Sequence, residues 1–304
     1  MRNGDAAAPT RPRVRTGLIG AGIGPSLSPA LHEREGAAHG LDLTYRRRDL
    51  DVLGAAPEEV GTLLARARDD GWAGVNVTHP CKQLVLRHLD ALSPDAAAVG
   101  AVNTVVIGPD GSLTGHNTDW TGFRDGWRDG LPGAGTGRVV LLGAGGAGAA
   151  AGYALARAGV RELQVVDVDA GRATALAASL APHLAPGAVA TGHPRTALET
   201  LLPGADGLVH ATPVGMAEHP GLPFAPELLA GRPWVAEIVY RPLDTALLAA
   251  ARAAGCRTVD GGRMAVHQAA EAFRLFTGLT PDPARMLAHL AELVTAEQEA
   301  TRVA

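Results

Sequence analysis

The chain of 304 residues carries 27 lysines and arginines, and only one of them is a lysine. That residue, Lys82, ends the run Asn76-Val77-Thr78-His79-Pro80-Cys81-Lys82. A guanidinium stays protonated, with a pKa above about 12, whereas burial can bring an ammonium into a working range. A lone lysine among arginines therefore points to a place where the charge must come off. The plainer alternative is chance survival on a solvated helix face. Asparagine and serine are also scarce, and they cluster. Asn76, Asn103 and Asn117 stand in N-V-T, V-N-T and N-T-D tripeptides, and Ser26 and Ser28 share one short segment. These polar islands read as parts of a site, although Asn and Ser also gather at turns and helix caps for local reasons.

A second kind of chemistry is legible in Gly143-Ala144-Gly145-Gly146-Ala147-Gly148. The run follows an apolar strand, Arg138 to Leu142, and opens a helix. In that context glycines permit a tight turn and close backbone approach, and the helix N-terminus offers N–H groups to a pyrophosphate. Asp167 and Asp169 follow at the distance expected of a ribose-binding carboxylate. Such acids accept from ribose hydroxyls and repel a 2′-phosphate, so NAD is the preferred cofactor and NADP is possible. Arg172 works against that preference, because an arginine here can grip the phosphate. Asp169 has a second reading, as the cap of the helix after it.

The elements that must position these residues alternate between strand and helix. Strands are expected at 14–20, 41–47, 73–77 and 102–107. Helices are expected from Ser28 to His39 with Ser28 as N-cap, from Pro57 to Asp70, from Pro80 to Leu89 and from Asp119 onward. A second block has strands at 138–142, 163–168, 188–191, 207–211, 234–239 and 257–259, and two helices, 263–277 and 283–297, close the chain. This rhythm implies an α/β fold with largely parallel sheets. Residues 1–13 read as a flexible tail.

Composition removes several classes of function. A net charge of −4 gives no electrostatic reason to bind nucleic acid or an anionic membrane. No apolar run reaches the roughly 18 residues of a membrane span. The two cysteines, Cys81 and Cys256, suit a reducing cytosol, and a cytoplasmic protein is expected. No metal cluster is apparent.

The ordered set of motifs resembles the shikimate dehydrogenase family, most closely its quinate/shikimate dehydrogenase branch. It runs from S-L-S-P at Ser26 through N-V-T-H-P-C-K, G-A-V-N-T at Gly100 and G-H-N-T-D at Gly115 to the glycine run. A-T-P-V-G-M at Ala211, V-Y-R-P-L-D-T at Val239 and D-G-G-R-M-A-V-H-Q at Asp260 follow. The resemblance implies an open α/β substrate domain, 14–118 with 264–304, and a Rossmann-type dinucleotide domain, 119–263, with the site in the cleft between them. It implies that Lys82 and Asp119 are the catalytic pair beside the hydroxyl that is oxidised. Ser26 and Ser28 would hold a substrate carboxylate, with Tyr240 near it. Thr78, Asn103 and Gln268 would bind ring hydroxyls, with Asn76 supporting the loop. Gly143, Gly145, Gly146, Ala147, Gly148, Asp167, Asp169, Arg172, Thr212 and Gly262 would meet the cofactor.

The implied reaction is reversible hydride transfer between a nicotinamide and a cyclohexene or cyclohexane carboxylate polyol. Shikimate is the first expectation; quinate or an amino-substituted analogue is the alternative. Ser26-Leu27-Ser28 stands where the quinate branch tends to have S-R-T. Asp167-Val168-Asp169 stands where NADP-binding relatives tend to have N-R-T. A ligand-sensing regulator of the same fold would have no need of the Lys82 and Asp119 pair. Monomer and homodimer both stay open.

Overall fold

The apolar run ending at Gly20 forms strand β1 (Arg13–Gly20) in the computed structural model, which describes residues 11–303. Residues 1–10 of the expected tail, Asn3 among them, lie outside the described residues. Helix α1 (Ser28–Ala38), strand β2 (Asp42–Asp49), the short helix α2 (Leu50–Leu53), helix α3 (Val60–Asp69) and strand β3 (Gly74–Val77) follow. Next come β4 (Ala91–Leu92), α4 (Pro94–Val99), β5 (Thr104–Ile107) and β6 (Leu113–His116). These strands form one sheet in the order β2-β1-β3-β5-β6-β4.

This sheet departs from the parallel expectation. β1, β2 and β3 run parallel, but β5 is antiparallel to both β3 and β6. The reason is the short turn between β5 and β6, where the Gly108 amide bonds to the Ser112 carbonyl and Gly111 takes a φ of 83°. A connection that short joins only antiparallel neighbours. The helix expected from Pro80 to Leu89 is also absent. A turn leads instead into a 3-10 helix at Leu84–His88. The Lys82 carbonyl accepts from the Val102 amide at 2.9 Å, so it is lost to any helical ladder and is tied to the sheet. The helix expected from Pro57 likewise starts as a 3-10 turn, Pro57–Glu59.

The second block reads through α5 (Thr118–Gly130), β7 (Arg138–Leu142), α6 (Gly146–Arg157), β8 (Glu162–Asp167), α7 (Ala170–Leu180) and β9 (Val189–Pro194). It continues with α8 (Leu198–Leu201), β10 (Gly207–His210), β11 (Trp234–Glu237), α9 (Ala246–Ala253) and β12 (Thr258–Val259). All its strand pairs are parallel, in the order β12-β11-β10-β7-β8-β9. This is the doubly wound arrangement, with the order reversing between β7 and β10. Ligands of such sheets sit in the crevice outside the strand ends at that reversal. The glycine run leaves β7 there, and Thr212 follows β10.

Two closing helices, α10 (Gly261–Thr277) and α11 (Pro283–Val303), tie the two sheets together. α10 lies unusually close to α5. A Cβ on Gly122 would stand 2.6 Å from the Gln268 Cβ and 2.7 Å from the Met264 carbonyl oxygen. One on Gly126 would stand 3.0 Å from both the Arg263 carbonyl carbon and the Met264 amide nitrogen. The glycines therefore set the helix separation, and that brings Gln268 to the start of α5. Farther along α10, Phe273 and Phe276 are buried, and Phe276 packs on Gly74 of β3. Burial of one such ring stabilises the contact by roughly 1.5–3 kcal/mol. α11 is pinned to α1 through Glu35. Its carboxylate is 1% exposed and accepts from Arg285 Nη2 at 2.6 Å, Arg285 Nε at 2.9 Å and the Asp282 amide at 2.8 Å. Burial pushes this carboxyl up, but the Arg285 and Asp282 bonds outweigh it and hold it below its usual range.

Candidate active site

Lys82 Nζ lies 2.6 Å from Asp119 Oδ2. The geometry depends on which residue caps α5. Asn117 holds that place: its Oδ1 accepts from the amides of Asp119 at 3.1 Å and Trp120 at 3.2 Å. The Asp119 carboxylate is thereby spared from capping and turns to Lys82. Its other oxygen, Oδ1, accepts from Asn103 Nδ2 at 2.8 Å. Asn103 also donates to Thr118 Oγ1 at 3.0 Å and accepts from the Thr118 amide at 2.6 Å. Both amide hydrogens of Asn103 are thus committed within the protein.

Behind this cluster, Tyr45 Oη donates to Asn76 Oδ1 at 2.8 Å, and Asn76 Nδ2 donates to Thr104 Oγ1 at 2.9 Å. Burial pushes the Tyr45 phenol well up, so it stays protonated as a donor. Asn76 therefore links β2, β3 and β5 beneath the loop that carries Lys82.

The pair opens onto a cavity of about 620 Å³ between the two sheets. Ser26, Ser28, Thr78, Asn103 and Asn76 line it on the side of the first sheet. Ala147, Thr212 and Tyr240 line it on the other, and Gln268 reaches it from α10. Burial raises the Tyr240 phenol, with Glu297 adding to the effect and Arg241 opposing it. Gln268 donates to the Ala265 carbonyl at 3.1 Å.

The serine segment is not the helix cap the sequence suggested. Leu27 holds the N-cap position of α1 with no side-chain cap bond, and Ser28 is the first helical residue with Pro29 behind it. The proline fits there because its missing N–H has no partner in a first turn. Ser26 Oγ donates to Ser28 Oγ at 3.2 Å, so both hydroxyls face one place. The segment is held from behind. Asp49 accepts from the amides of Ile23 at 2.8 Å and Gly22 at 3.1 Å, and Arg47 donates to the Ser26 carbonyl at 2.6 Å.

The glycine run shows which of its members the fold needs and which leave room for a ligand. Gly143 has a φ of 110°, and a Cβ on Gly148 would stand 2.0 Å from the Gly143 carbonyl oxygen. Gly146 faces open space, and a Cβ on Gly145 would meet only Arg172 Nη2, at 3.7 Å. The turn is therefore a cradle with an open face at a helix N-terminus, and a dinucleotide pyrophosphate fits it. Asp167 accepts from the Ala144 amide at 2.7 Å and the Asp169 amide at 3.0 Å. Asp169 caps α7, accepting from the amides of Gly171 at 2.8 Å and Arg172 at 3.2 Å. Both acids thus have structural work in addition to any ligand. Gly143, Gly145, Gly146, Gly148, Asp167, Asp169 and Arg172 lie outside the lining of the 620 Å³ cavity; Ala147 and Thr212 connect the two regions. Gly262 is also outside that lining. Its amide donates to Asp260 Oδ1 at 2.9 Å, and the neighbouring Gly261 reaches the cavity.

Sequence reading passed over Thr118 and Tyr45. Thr118 stood in plain view inside N-T-D. Tyr45 shows its place only once β2 and β3 lie either side of β1 and its hydroxyl reaches Asn76.

A family profile described as the shikimate dehydrogenase substrate binding domain matches residues 18–105. A second, the shikimate 5′-dehydrogenase C-terminal domain, matches residues 262–290. The chain is 58% identical over 284 residues to a shikimate dehydrogenase (NADP(+)) of Streptomyces avermitilis, covering 93% of this chain and 97% of the relative. It is 50% identical over 275 residues to a quinate/shikimate dehydrogenase (NAD(+)) of Corynebacterium efficiens, covering 90% and 96%. Among solved structures, the quinate dehydrogenase of Corynebacterium glutamicum in complex with NAD superposes with a TM-score of 0.88 at 47% identity, covering 93% of this chain and all of that one. The Thermus thermophilus shikimate 5-dehydrogenase in complex with NADP(H) and shikimate gives 0.80 at 37% identity, covering 92% and 99%. The doubly wound sheet, the glycine cradle and the shared cavity define a nicotinamide-dependent oxidoreductase. The chain belongs to the shikimate dehydrogenase family.

Proposed function

We propose that this enzyme catalyses reversible oxidation of a ring hydroxyl of shikimate, with quinate as a second substrate. The observation that carries the reading is the 2.6 Å contact between Lys82 and Asp119 in the wall of a cavity lined by Ser26, Ser28 and Thr78. Oxidising a secondary alcohol removes a hydride from carbon and a proton from oxygen. A bound nicotinamide supplies the two-electron acceptor for the hydride. Lys82, held by Asp119, takes the proton as the amine and, as the ammonium so formed, returns it in the reverse direction. Asn103 fixes the second oxygen of Asp119, so the carboxylate meets Lys82 in one orientation. The Ser28 hydroxyl, the Ser26 hydroxyl once turned from Ser28, and the half-buried Tyr240 phenol offer donors to a carboxylate. Thr78 and Gln268 address ring hydroxyls, and such positioning of the reacting carbon is worth much of the rate. In this reading 14–118 with 264–304 carries the substrate, and 119–263 carries the dinucleotide.

NAD is the preferred cofactor in this reading. Asp167 and Asp169 put two carboxylates at the end of β8, against the single guanidinium of Arg172. The relatives divide on this point: those at 57–58% identity are named for NADP(+) and those at 50% for NAD(+). Absorbance at 340 nm with shikimate or quinate, each with NAD or NADP, tests the whole reading. Activity is expected with shikimate and NAD in the largest kcat/KM. No reduction of either cofactor by either substrate would overturn it.

A further inference from the structure

A chain of three side chains, two of them buried behind the cavity wall and the third in it, takes no part in the proton transfer just described. Glu237, at the end of β11, and His210, at the end of β10, are paired strand neighbours whose side chains are 0% exposed. Glu237 faces His210 Nδ1 with both oxygens, at 2.9 and 3.1 Å. It also accepts from the Val239 amide at 3.0 Å and from Thr245 Oγ1 at 3.1 Å. A carboxylate so placed keeps the imidazole hydrogen on Nδ1. The opposite nitrogen, Nε2, lies 2.6 Å from Thr212 Oγ1, and Thr212 lines the cavity.

We propose that Glu237 and His210 are positioning residues that fix the Thr212 hydroxyl as a hydrogen-bond acceptor toward the cavity, there to receive an N–H of the nicotinamide carboxamide. With the ring hydrogen on Nδ1, Nε2 presents its lone pair, and the Thr212 hydrogen points to it. The Val214 amide donates to Thr212 Oγ1 at 3.3 Å and occupies one oxygen lone pair. A hydroxyl has two, so one remains, and it selects a donor. Thr212 stands at the reversal of strand order beside Gly143, whose Cβ position would lie 3.1 Å from Thr212 Cγ2. A dinucleotide cradled by the glycine turn runs from there into the cavity. The carboxamide is the part of its nicotinamide ring that carries N–H donors. This inference rests on the dinucleotide reading of the site.

The test separates the two. Dissociation constants are measured for NADH and for ADP-ribose, which lacks the nicotinamide. Thr212→Val is expected to weaken NADH by about tenfold, the usual effect of one lost hydrogen bond, and to leave ADP-ribose unchanged. Thr212→Ser restores NADH binding. The reduced 3-acetylpyridine analogue, which has no carboxamide N–H, is expected to bind the native protein and Thr212→Val alike. Equal weakening of ADP-ribose, or a loss with the acetylpyridine analogue as large as with NADH, would overturn the inference. Failure of ADP-ribose to bind the native protein would instead sink the dinucleotide reading beneath it. The role of the histidine is read on the unaltered chain by ¹⁵N NMR of His210. A protonated Nδ1 with an unprotonated Nε2 supports the chain of bonds; hydrogen on Nε2 overturns it.

Discussion

Asn103 donates to the one oxygen of Asp119 that Lys82 does not use, at 2.8 Å, while Lys82 holds the other at 2.6 Å. The carboxylate is therefore clamped from two directions, and Asn103 is more than a lining residue. Asn103→Ala releases Asp119 Oδ1 and also strands the Thr118 amide, which Asn103 accepts at 2.6 Å. Turnover is expected to fall by about 10²-fold, as for a misplaced reacting group, with a smaller rise in substrate KM. Steady-state kinetics on Asn103→Ala and Asn103→Asp check this, and unchanged kcat in both would refute the clamp.

Lys82→Arg keeps the charge and removes the titratable proton. Turnover is expected to drop by about 10² or more, the span of general acid–base effects, with substrate binding weakened less. Wild-type turnover in this variant would remove Lys82 from the chemistry.

The lysine was legible because composition isolates it, and the glycine cradle because strand, turn and helix follow in order. The capping pattern was not legible. Ser28, Asn117, Asp119 and Asp169 all sit near helix starts, and sequence gives each the same chance of capping. Only the structure shows Asn117 and Asp169 capping while Asp119 faces Lys82 and Ser28 faces Ser26. The antiparallel β5 was hidden for a related reason. Its run looks like any buried strand, and its direction is set by the turn after Gly108. The His210 and Glu237 pair was invisible because 27 residues separate them and the parallel register of β10 with β11 brings them level.

Gly122→Ala tests the contact between α5 and α10. The new methyl would meet the Met264 carbonyl oxygen at 2.7 Å and Gln268 Cβ at 2.6 Å, so α10 must move. Overpacking of this kind costs typically about 1–3 kcal/mol. Because Gln268 moves with α10, substrate KM should rise as well. Thermal unfolding together with kinetics checks both, and a neutral effect on each would mean that the helices are free to separate.

Ser28→Thr adds one methyl where Ser26 and Ser28 share a hydrogen bond on the cavity wall. Preference is expected to shift toward quinate relative to shikimate, by on the order of 1–3 kcal/mol at most, the scale of one methyl-sized change in a pocket. Paired kcat/KM values on both substrates measure it; an unchanged ratio counts against Ser28 lying near the ring.

Asp167→Asn with Asp169→Thr removes two negative charges from the end of β8 and leaves Arg172 unopposed. The preference for NAD over NADP is expected to narrow, because the repulsion of a 2′-phosphate is lost. Asp169→Thr retains a capping hydroxyl, so α7 should keep most of its start. Cofactor kcat/KM ratios before and after decide it. If the native enzyme already favours NADP, Arg172 dominates and the two acids serve the backbone bonds they make to Ala144, Asp169, Gly171 and Arg172.

His32 gives the fold a pH dependence of its own. It is 1% exposed, stacks on Tyr45 with ring centroids 4.7 Å apart, and neither ring nitrogen has a hydrogen-bond partner. Burial lowers its pKa from 6.5 to about 3, with Glu35 opposing the shift. The folded state therefore binds fewer protons than the unfolded state below pH 6.5. The sign follows: this contribution is complete above 6.5 and is lost progressively as pH falls from there toward 3. The loss amounts to a few kcal/mol, on the order expected of a fully buried imidazole forced to charge. His32→Phe removes the titration and keeps an aromatic ring against Tyr45. Urea unfolding of both proteins between pH 7 and pH 5 is expected to show stability falling with pH in the native chain and a shallower fall in His32→Phe. Parallel slopes would show that His32 is not the group whose protonation the fold resists.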